Sequence, residues 1–417
     1  MKIEMVCHSD LMGGAARAAY RLHRALVAAG EESKFRVALK YSDDWRVISA
    51  KRPNIPQRIL RRLSDRLMRK QKSDNLAYHS AELFFSSGLD SEINLSDTQV
   101  VNLHWICGNM LSVKDIGHIR KPIVWTMHDM WPFCGAEHYS DDAPGSRFES
   151  GYKRTNRPVG NSGPDVDRWV WASKRKAWRN PMHIVAPSRW LGECARRSLL
   201  MRDWPITVIP NPLDTQVYQP YSKAFARKAL NLPEDLRLIS FGAIGGGSDP
   251  RKGFDKLTAA LRLLLDSTPN TACVIFGQSA PKQVPNLGLP IYWLGHLNDD
   301  ISLALVYSAV DVMVVPSLQE NLPQTGTEAQ ACGCPIVAFN CTGMPDVVEH
   351  RKTGYLAEAY SNSDLAAGIG WVLENKDRHW ALSKAARERA VSLWSSEVVI
   401  PQYLKVYQDA IQGFGSG

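Results

Sequence analysis

Along the chain, short runs of consecutive apolar residues alternate with longer stretches in which apolar positions recur every three or four. The first pattern marks strands buried on both faces and the second marks helices with one buried face. In the first half, KIEMVCHS, FRVAL, VVNLHWI (100–106), PIVWTMHD (122–129), HIVAPS (183–188) and ITVIP (206–210) read as strands. ARAAYRLHRALVAAG reads as an alanine-rich helix that Gly30 stops, because a helix C-terminus favours a left-handed residue. In the second half, LRLISFGAI, TACVIFGQ, IYWLG, DVMVVPS, PIVAFN and GYLAE are the strand candidates. FDKLTAALRLLLD, ISLALVYSAV, LPQTGTEAQACG and DLAAGIGWVLE are the helices between them, and SSEVVIPQYLKVYQDAIQ is one more at the end.

Strand and helix in alternation predict a parallel sheet covered on both faces, and 417 residues are too many for one core. The expectation is two Rossmann-like, doubly wound α/β domains over 1–210 and 211–395, joined through 211–223, with a helix at 396–412 packing back on the first. Two such domains facing across a cleft would bind a ligand at the carboxyl ends of their strands. Residues 140–167, rich in Gly, Pro, Ser and Asn, interrupt the pattern as a long irregular loop of the kind that is functional or disordered. The last five residues, GFGSG, read as disordered or as a cloning remnant.

Composition narrows the classes. Hydrophobic content of 44% and charged content of 22% suit a folded soluble protein, and no apolar run reaches the length of a membrane span. MKIEMVCHSD lacks the features of a secretory leader, and the eight cysteines are scattered in apolar context. A cytoplasmic protein with reduced thiols is expected. Cys332, Cys334 and Cys341 are not spaced as zinc ligands, and no residue set reads as a metal site. The net charge of +8 is local: residues 51–72 hold nine Lys or Arg and one acid, Asp65. Leu60, Leu63 and Leu67 recur there at helical spacing among the basic side chains. Such a helix can lie on an anionic membrane surface, on the inner face of the membrane, or it can dock its leucines on the domain in solvent. Nucleic acid is not expected, since aromatic interleaving and recognition motifs are absent.

Five strand-end loops carry unusual residues. Gly13 and Gly14 follow the first strand and precede a helix, which lets backbone approach a ligand or simply makes a tight turn. FGAIGGGSDPRKGF places Arg251 and Lys252 just before a helix that begins near Gly253, an arrangement suited to a diphosphate or to a solvated basic turn. After DVMVVPS, residues 319–325 should emerge at the sheet end, with Glu320 in the loop and Glu328 about a turn into the next helix. Carboxylates accept from the paired hydroxyls of sugars and ribose, and free amides from Asn321 to Thr325 would take phosphate. A helix-dipole role would account for Glu328 but not for Glu320.

ENLPQTGTEAQACGCPIVAFNCTGMPDVVEHRKTGYL resembles the signature of retaining nucleotide-sugar glycosyltransferases of family 4, which have the GT-B fold. VIPNPLDTQVYQP, PRKGF and the run ahead of Glu320 match the same family, with Asn-Pro where Asn-Gly is usual. In the first half, Gly13-Gly14, NLHW and TMHDMWPF resemble members of the exopolysaccharide or colanic-acid type. Those often carry a cysteine cluster after the His-Asp motif, and this chain has none between 140 and 167.

The resemblance implies a UDP- or GDP-linked sugar as donor and a glycan or lipid-linked acceptor, with no cofactor. Arg251 and Lys252 would neutralise the leaving diphosphate, near Gly13 and Gly14. Glu328 would hold the ribose, and Glu320 the donor sugar beside Asn321, Leu322, Pro323 and Gln324. His128, next to Asp129, would sit by the anomeric centre. No divalent metal is then required: the single Asp-x-Asp, Asp165-Val166-Asp167, reads as a helix N-cap. The alternatives are a GT-B phosphorylase or synthase, or an inert glycan- or membrane-binding protein on that scaffold. A dinucleotide oxidoreductase is disfavoured by the missing glycine fingerprint.

Overall fold

The computed structural model describes residues 1–50, 55–83, 85–242, 245, 249–265, 268–282 and 286–414, with only the backbone of 55–58 and 61. Residues 51–54 of the basic segment, part of the glycine-rich loop (243–244 and 246–248) and the terminal 415–417 therefore lie outside the described residues. The chain divides into two compact units, Met1–Asn211 with Ile400–Gly417, and Pro212–Val399.

The first unit is built on β1 (Lys2–Ser9), β2 (Glu32–Leu39), β3 (Val47–Ser49), β4 (Val100–Leu103), β5 (Ile123–Thr126), β6 (His183–Ala186) and β7 (Ile206–Val208). They form one sheet in the order β3-β2-β1-β4-β5-β6-β7, with every pairing parallel. The second unit holds β8 (Arg237–Gly242), β9 (Thr271–Phe276), β10 (Ile291–Gly295), β11 (Val312–Val315), β12 (Ile336–Phe339) and β13 (Gly354–Ala357). Their order is β10-β9-β8-β11-β12-β13, again all parallel. Every residue of β4, β5, β11 and β12 is buried, as strands covered on both faces must be. Each unit is thus doubly wound α/β. In each sheet the winding direction reverses once, between β1 and β4 and between β8 and β11. Ligands of such sheets bind beside that reversal, outside the carboxyl ends of the strands.

The expected strands coincide with twelve of these thirteen. β3 was not legible: it has three residues, of which only Val47 is buried. The helix Lys376–Trp394 was missed as well, because its surface is polar nearly all round and it buries only Leu382, Ala386, Ala390 and Trp394 at spacings of four. The terminal helix runs over Ser396–Phe414, so Gly413 and Phe414 are helical rather than disordered. Tyr407 of this helix donates to Asn102 Oδ1 at 2.7 Å, and Asn102 donates to the Val124 carbonyl at 3.0 Å. The last helix is thereby tied to β4 and β5.

The 140–167 excursion is ordered. Asn156 donates to the Gly151 carbonyl, Arg157 donates to the carbonyls of Ser162, Gly163 and Pro164, and Arg147 pairs with Asp165 at 2.9 Å. Asp165 caps the helix Val166–Ala177 by accepting from the Arg168 amide, but Asp167 turns inward and shares no capping role. The basic segment forms the helix Ile55–Lys70. Leu67 packs against a small cluster with Ala81 and Val170, whereas Ile59 (60% exposed), Leu60 and Leu63 (45%) stay open to solvent. Those leucines do not dock on the domain. Among the described residues, no helix is long and apolar enough to cross a membrane.

Candidate functional site

In the second unit, the loops that follow β8 and β11 flank the reversal of the sheet, and backbone contacts lock them together. Asp249 caps a single helical turn, Pro250–Lys252, accepting from the Arg251 amide and pairing with its guanidinium at 2.8 Å. Gly253 then takes φ +67°, and a Cβ there would lie 1.9 Å from the Pro316 carbonyl oxygen. Only glycine lets the turn sit this close to the loop after β11. The Leu318 amide donates to the Arg251 carbonyl at 2.8 Å, completing the seam.

On this seam Lys252 forms an ion pair with Glu320, whose Oε1 also accepts from Ser317 Oγ at 3.4 Å. The backbone of Glu320 is fixed from the other side by the loop after β12. Its amide donates to Thr342 Oγ1 at 3.1 Å, and its carbonyl accepts from the Gly343 amide at 2.9 Å. A Cβ on Gly343 would lie 1.5 Å from the Asn321 carbonyl oxygen. The two glycines of the PRKG and CTGMPD stretches are therefore the points where three strand-end loops touch.

Glu328 lies in the helix Gln324–Ala331, only 3% exposed, and accepts from the Tyr307 hydroxyl at 2.7 Å. Tyr307 was not singled out from sequence. It stands 21 positions away, in a helix whose apolar run gives no sign of a polar contact. The structure departs from expectation in the segment between the two acids. Glu320, Asn321, Leu322 and Pro323 are buried rather than standing out from the sheet end. Pro323 is the N-cap and has no amide, so the series of amides expected from Asn321 to Thr325 is broken there.

In the first unit, Gly13 ends the loop after β1, beside the reversal of that sheet, and Gly14 opens the helix that follows. Gly13 has φ +91° and ψ 166°, a conformation essentially confined to glycine, and it precedes the helix Gly14–Ala28 with open space around its missing Cβ. His128, just beyond β5, has Nε2 3.0 Å from His104 Nδ1 with the rings stacked. Burial pulls His128 down to about 4 and His104 well below its usual range, so both rings are neutral at pH 7 and share one proton across that contact.

Asp129, the neighbour of His128 in sequence, bonds to three other residues. Asp129 Oδ2 lies 2.6 Å from His138 Nδ1 and accepts from the Trp105 indole at 3.0 Å, and Oδ1 accepts from the Trp131 amide. Burial works against the charged form, but His138 and the amide outweigh it and hold the Asp129 carboxyl below its ordinary value. His104 and Trp105 belong to the NLHW stretch at the end of β4, whereas His138, beyond β5, was not singled out because only the meeting of those two loops brings it beside Trp105. Lys174 props the same region from beneath, donating to the carbonyls of Trp131, Cys134 and Gly135.

The first unit and the second match different family models. Residues 12–217 match the one described as Glycosyltransferase Family 4, and residues 223–389 the one described as Glycosyl transferases group 1. A D-inositol 3-phosphate glycosyltransferase of Segniliparus rotundus is 29% identical over 219 residues, 50% of this chain and 48% of that protein. The chain thus spans about half the length of the curated relatives it matches. Sucrose-phosphate synthase from Thermosynechococcus elongatus superposes with a TM-score of 0.71 at 20% identity, covering 100% of both chains. Anabaena Alr3699/HepE in complex with UDP-glucose does so with a TM-score of 0.63 at 15% identity, also over 100% of both. The chain has the GT-B fold and carries a glycosyltransferase family 4 domain followed by a group 1 glycosyl transferase domain.

Proposed function

We propose that the chain transfers a sugar from a nucleoside-diphosphate sugar, UDP- or GDP-linked, to a hydroxyl of a glycan or lipid-linked acceptor, with retention at the anomeric carbon. The observation that carries this reading is the Lys252–Glu320 pair, held on two interlocked loops at the reversal of the second sheet. In the transfer, the bond from the anomeric carbon to the diphosphate breaks, a bond to the acceptor hydroxyl oxygen forms, and the hydroxyl proton is released with the nucleoside diphosphate. Negative charge builds on the leaving phosphate and positive charge on the sugar ring. Arg251 and Lys252 answer the first and Glu320 lies at the sugar, so both stabilise the transition state more than the ground state. Lys252 exchanges its carboxylate partner for phosphate when donor binds.

Glu328, oriented by Tyr307, accepts from the ribose hydroxyls. The roles of Gly13 and Gly14 at the diphosphate and of His128 at the sugar rest on the resemblance of the loops that hold them. With two cations at the diphosphate, transfer needs no added divalent ion and no cofactor. Assembly of a surface polysaccharide is the setting that the exopolysaccharide-type motifs favour. The name of the Segniliparus relative favours a phosphorylated cyclitol as an alternative acceptor, and the ligand of the Anabaena complex favours UDP-glucose as the first donor to try. The exposed Ile59, Leu60 and Leu63 on a basic helix favour contact with an anionic membrane surface from the cytoplasmic side.

A thermal-shift screen with UDP-glucose, UDP-galactose, UDP-N-acetylglucosamine, GDP-mannose and GDP-fucose identifies the donor, since a ligand of the folded state raises its melting temperature. Release of nucleoside diphosphate is then measured with and without acceptor. Glu320→Gln and Lys252→Ala are expected to abolish transfer in chains that still fold. Normal turnover in either variant would refute the assignment.

A further inference from the structure

Beside the segment that carries His138, the first unit holds three ligand-type atoms turned toward one another. His79 Nε2, Glu137 Oε2 and Asp167 Oδ1 all lie within 4.8 Å of one another, and none has a hydrogen-bond partner. Glu137 and Asp167 are each only 4% exposed. Buried polar atoms are almost always satisfied, so three orphans converging on one point are the place to look for a common partner.

The remaining atoms of each side chain are spoken for, and this fixes the direction of the orphans. His79 Nδ1 lies 2.6 Å from the Ala77 carbonyl, which can only accept, so Nδ1 carries a proton and Nε2 is left facing Asp167 Oδ1, 3.8 Å away. Tyr152 donates to Glu137 Oε1, and Gln71 Nε2 donates to Asp167 Oδ2 at 3.0 Å. A ring nitrogen and two carboxylates, each oriented by an outer hydrogen bond, make the usual construction of a metal site.

The backbone is shaped to hold them. His79 and Glu137 face each other across an antiparallel bridge, braced by Ser80 N to Ala136 O and His138 N to Tyr78 O. Asp167 comes from the first turn of the helix capped by Asp165, and Gly135 leaves room for it: a Cβ there would meet the Asp167 carbonyl at 2.6 Å and Glu137 Oε2 at 2.7 Å. A cavity of about 330 Å³ lined by Met68, Arg69, Gln71, Ser73, Asn75 and His79 opens beside the imidazole and gives a way in.

We propose that His79, Glu137 and Asp167 bind one divalent transition-metal ion, zinc first among them, with water completing a four-coordinate shell. Zinc held at about 2.0–2.1 Å keeps tetrahedral ligands roughly 3.4 Å apart, so closure onto the ion takes an inward shift of about an ångström or less. Without an ion, the two carboxylates face each other in a buried site. The ion clips the end of the 140–167 excursion to segments about 30 and 90 residues earlier. It carries no part in the transfer chemistry proposed above, and its test is independent of donor or acceptor.

The full chain, purified without a histidine tag or chelator, is analysed by inductively coupled plasma mass spectrometry. About one zinc per chain is expected, either as isolated or after equilibration with zinc chloride. A chelator should lower the melting temperature and zinc chloride should restore it, and anomalous scattering at the zinc edge should place the ion among the three side chains. Glu137→Gln and His79→Ala should lose the ion while His118→Ala, on the surface, keeps it. Should Glu137→Gln fail to fold, the anomalous signal in the parent protein decides. A parent chain that stays free of zinc, manganese, iron and nickel after exposure to each overturns the proposal, because a shared proton then neutralises the pair. Metal that persists in His79→Ala overturns it equally.

Discussion

Gly253 and Gly295 form a natural control pair for the seam that holds Lys252. Both belong to the second unit and both have nearly the same left-handed backbone, φ +67° and φ +68°. Alanine in that conformation costs about 1–2 kcal/mol, so strain alone predicts equal losses from Gly253→Ala and Gly295→Ala. Their surroundings differ. A Cβ at 295 meets nothing within 4 Å, whereas one at 253 lies 1.9 Å from the Pro316 carbonyl oxygen, about 1.5 Å inside an ordinary contact of 3.4 Å. Overpacking of that kind adds about 1–3 kcal/mol. At roughly 2–4 °C per kcal/mol for a unit of this size, Gly253→Ala should melt a further ~2–12 °C lower than Gly295→Ala by scanning calorimetry. The displaced turn carries Lys252 away from Glu320, and a misplacement near 1 Å can cost about 10²-fold in rate. Gly295→Ala should leave nucleoside-diphosphate release close to that of the parent. Gly343→Ala isolates the other half of the effect, a clash at 1.5 Å with an ordinary φ of −83°. Equal melting temperatures for the Gly253 and Gly295 variants, or parental turnover in Gly253→Ala, would refute the interlocked-loop account.

Further outcomes follow from buried charge. Burial holds the His23 ring down to about 4 against an ordinary 6.5, so folding favours its neutral form. Its contribution is complete above pH 6.5 and is lost as pH falls toward 4, by about 3 kcal/mol, with His128 acting in the same direction. Denaturant unfolding at pH 7.5 and 4.5 should show that loss, and His23→Gln should reduce it; a flat profile would contradict it. Asp311 pairs with Arg227 at 2.8 Å and Lys223 at 2.7 Å and accepts from the Leu238 amide. Asp311→Ala leaves the buried Arg227 guanidinium unpaired and should cost about 3–5 kcal/mol in unfolding free energy. Tyr307→Phe frees Glu328 from its hydroxyl donor and should weaken nucleotide binding about tenfold by calorimetry, with the fold retained. Serine in place of Arg62, Arg66, Arg69 and Lys70 should weaken flotation with anionic vesicles at low salt, by about 1 kcal/mol per charge removed. Turnover on a soluble acceptor should be unchanged.

The alternation of apolar runs and helical spacing was enough to determine the doubly wound class, because a strand buried on both faces can hardly be written any other way. That Glu320, Glu328, Arg251 and Lys252 stand at strand ends or in the first turns of the helices after them was legible for a similar reason, since local sequence already says which way the chain is heading. What sequence could not supply was partnership across distance. Lys252 reaches Glu320 over 68 positions, Glu328 meets Tyr307 over 21, and Asp129 takes His138 instead of its neighbour His128. Why no side chain fits at Gly253 and Gly343 shows only in the carbonyls that oppose them. His79, Glu137 and Asp167 share no motif, since a bridge, a capped helix and a missing Cβ bring them together, and those are properties of packing. Period and local propensity act over a few residues and are written in order along the chain. Desolvation and close approach depend on which loops the sheet order makes neighbours, and only the folded chain decides that.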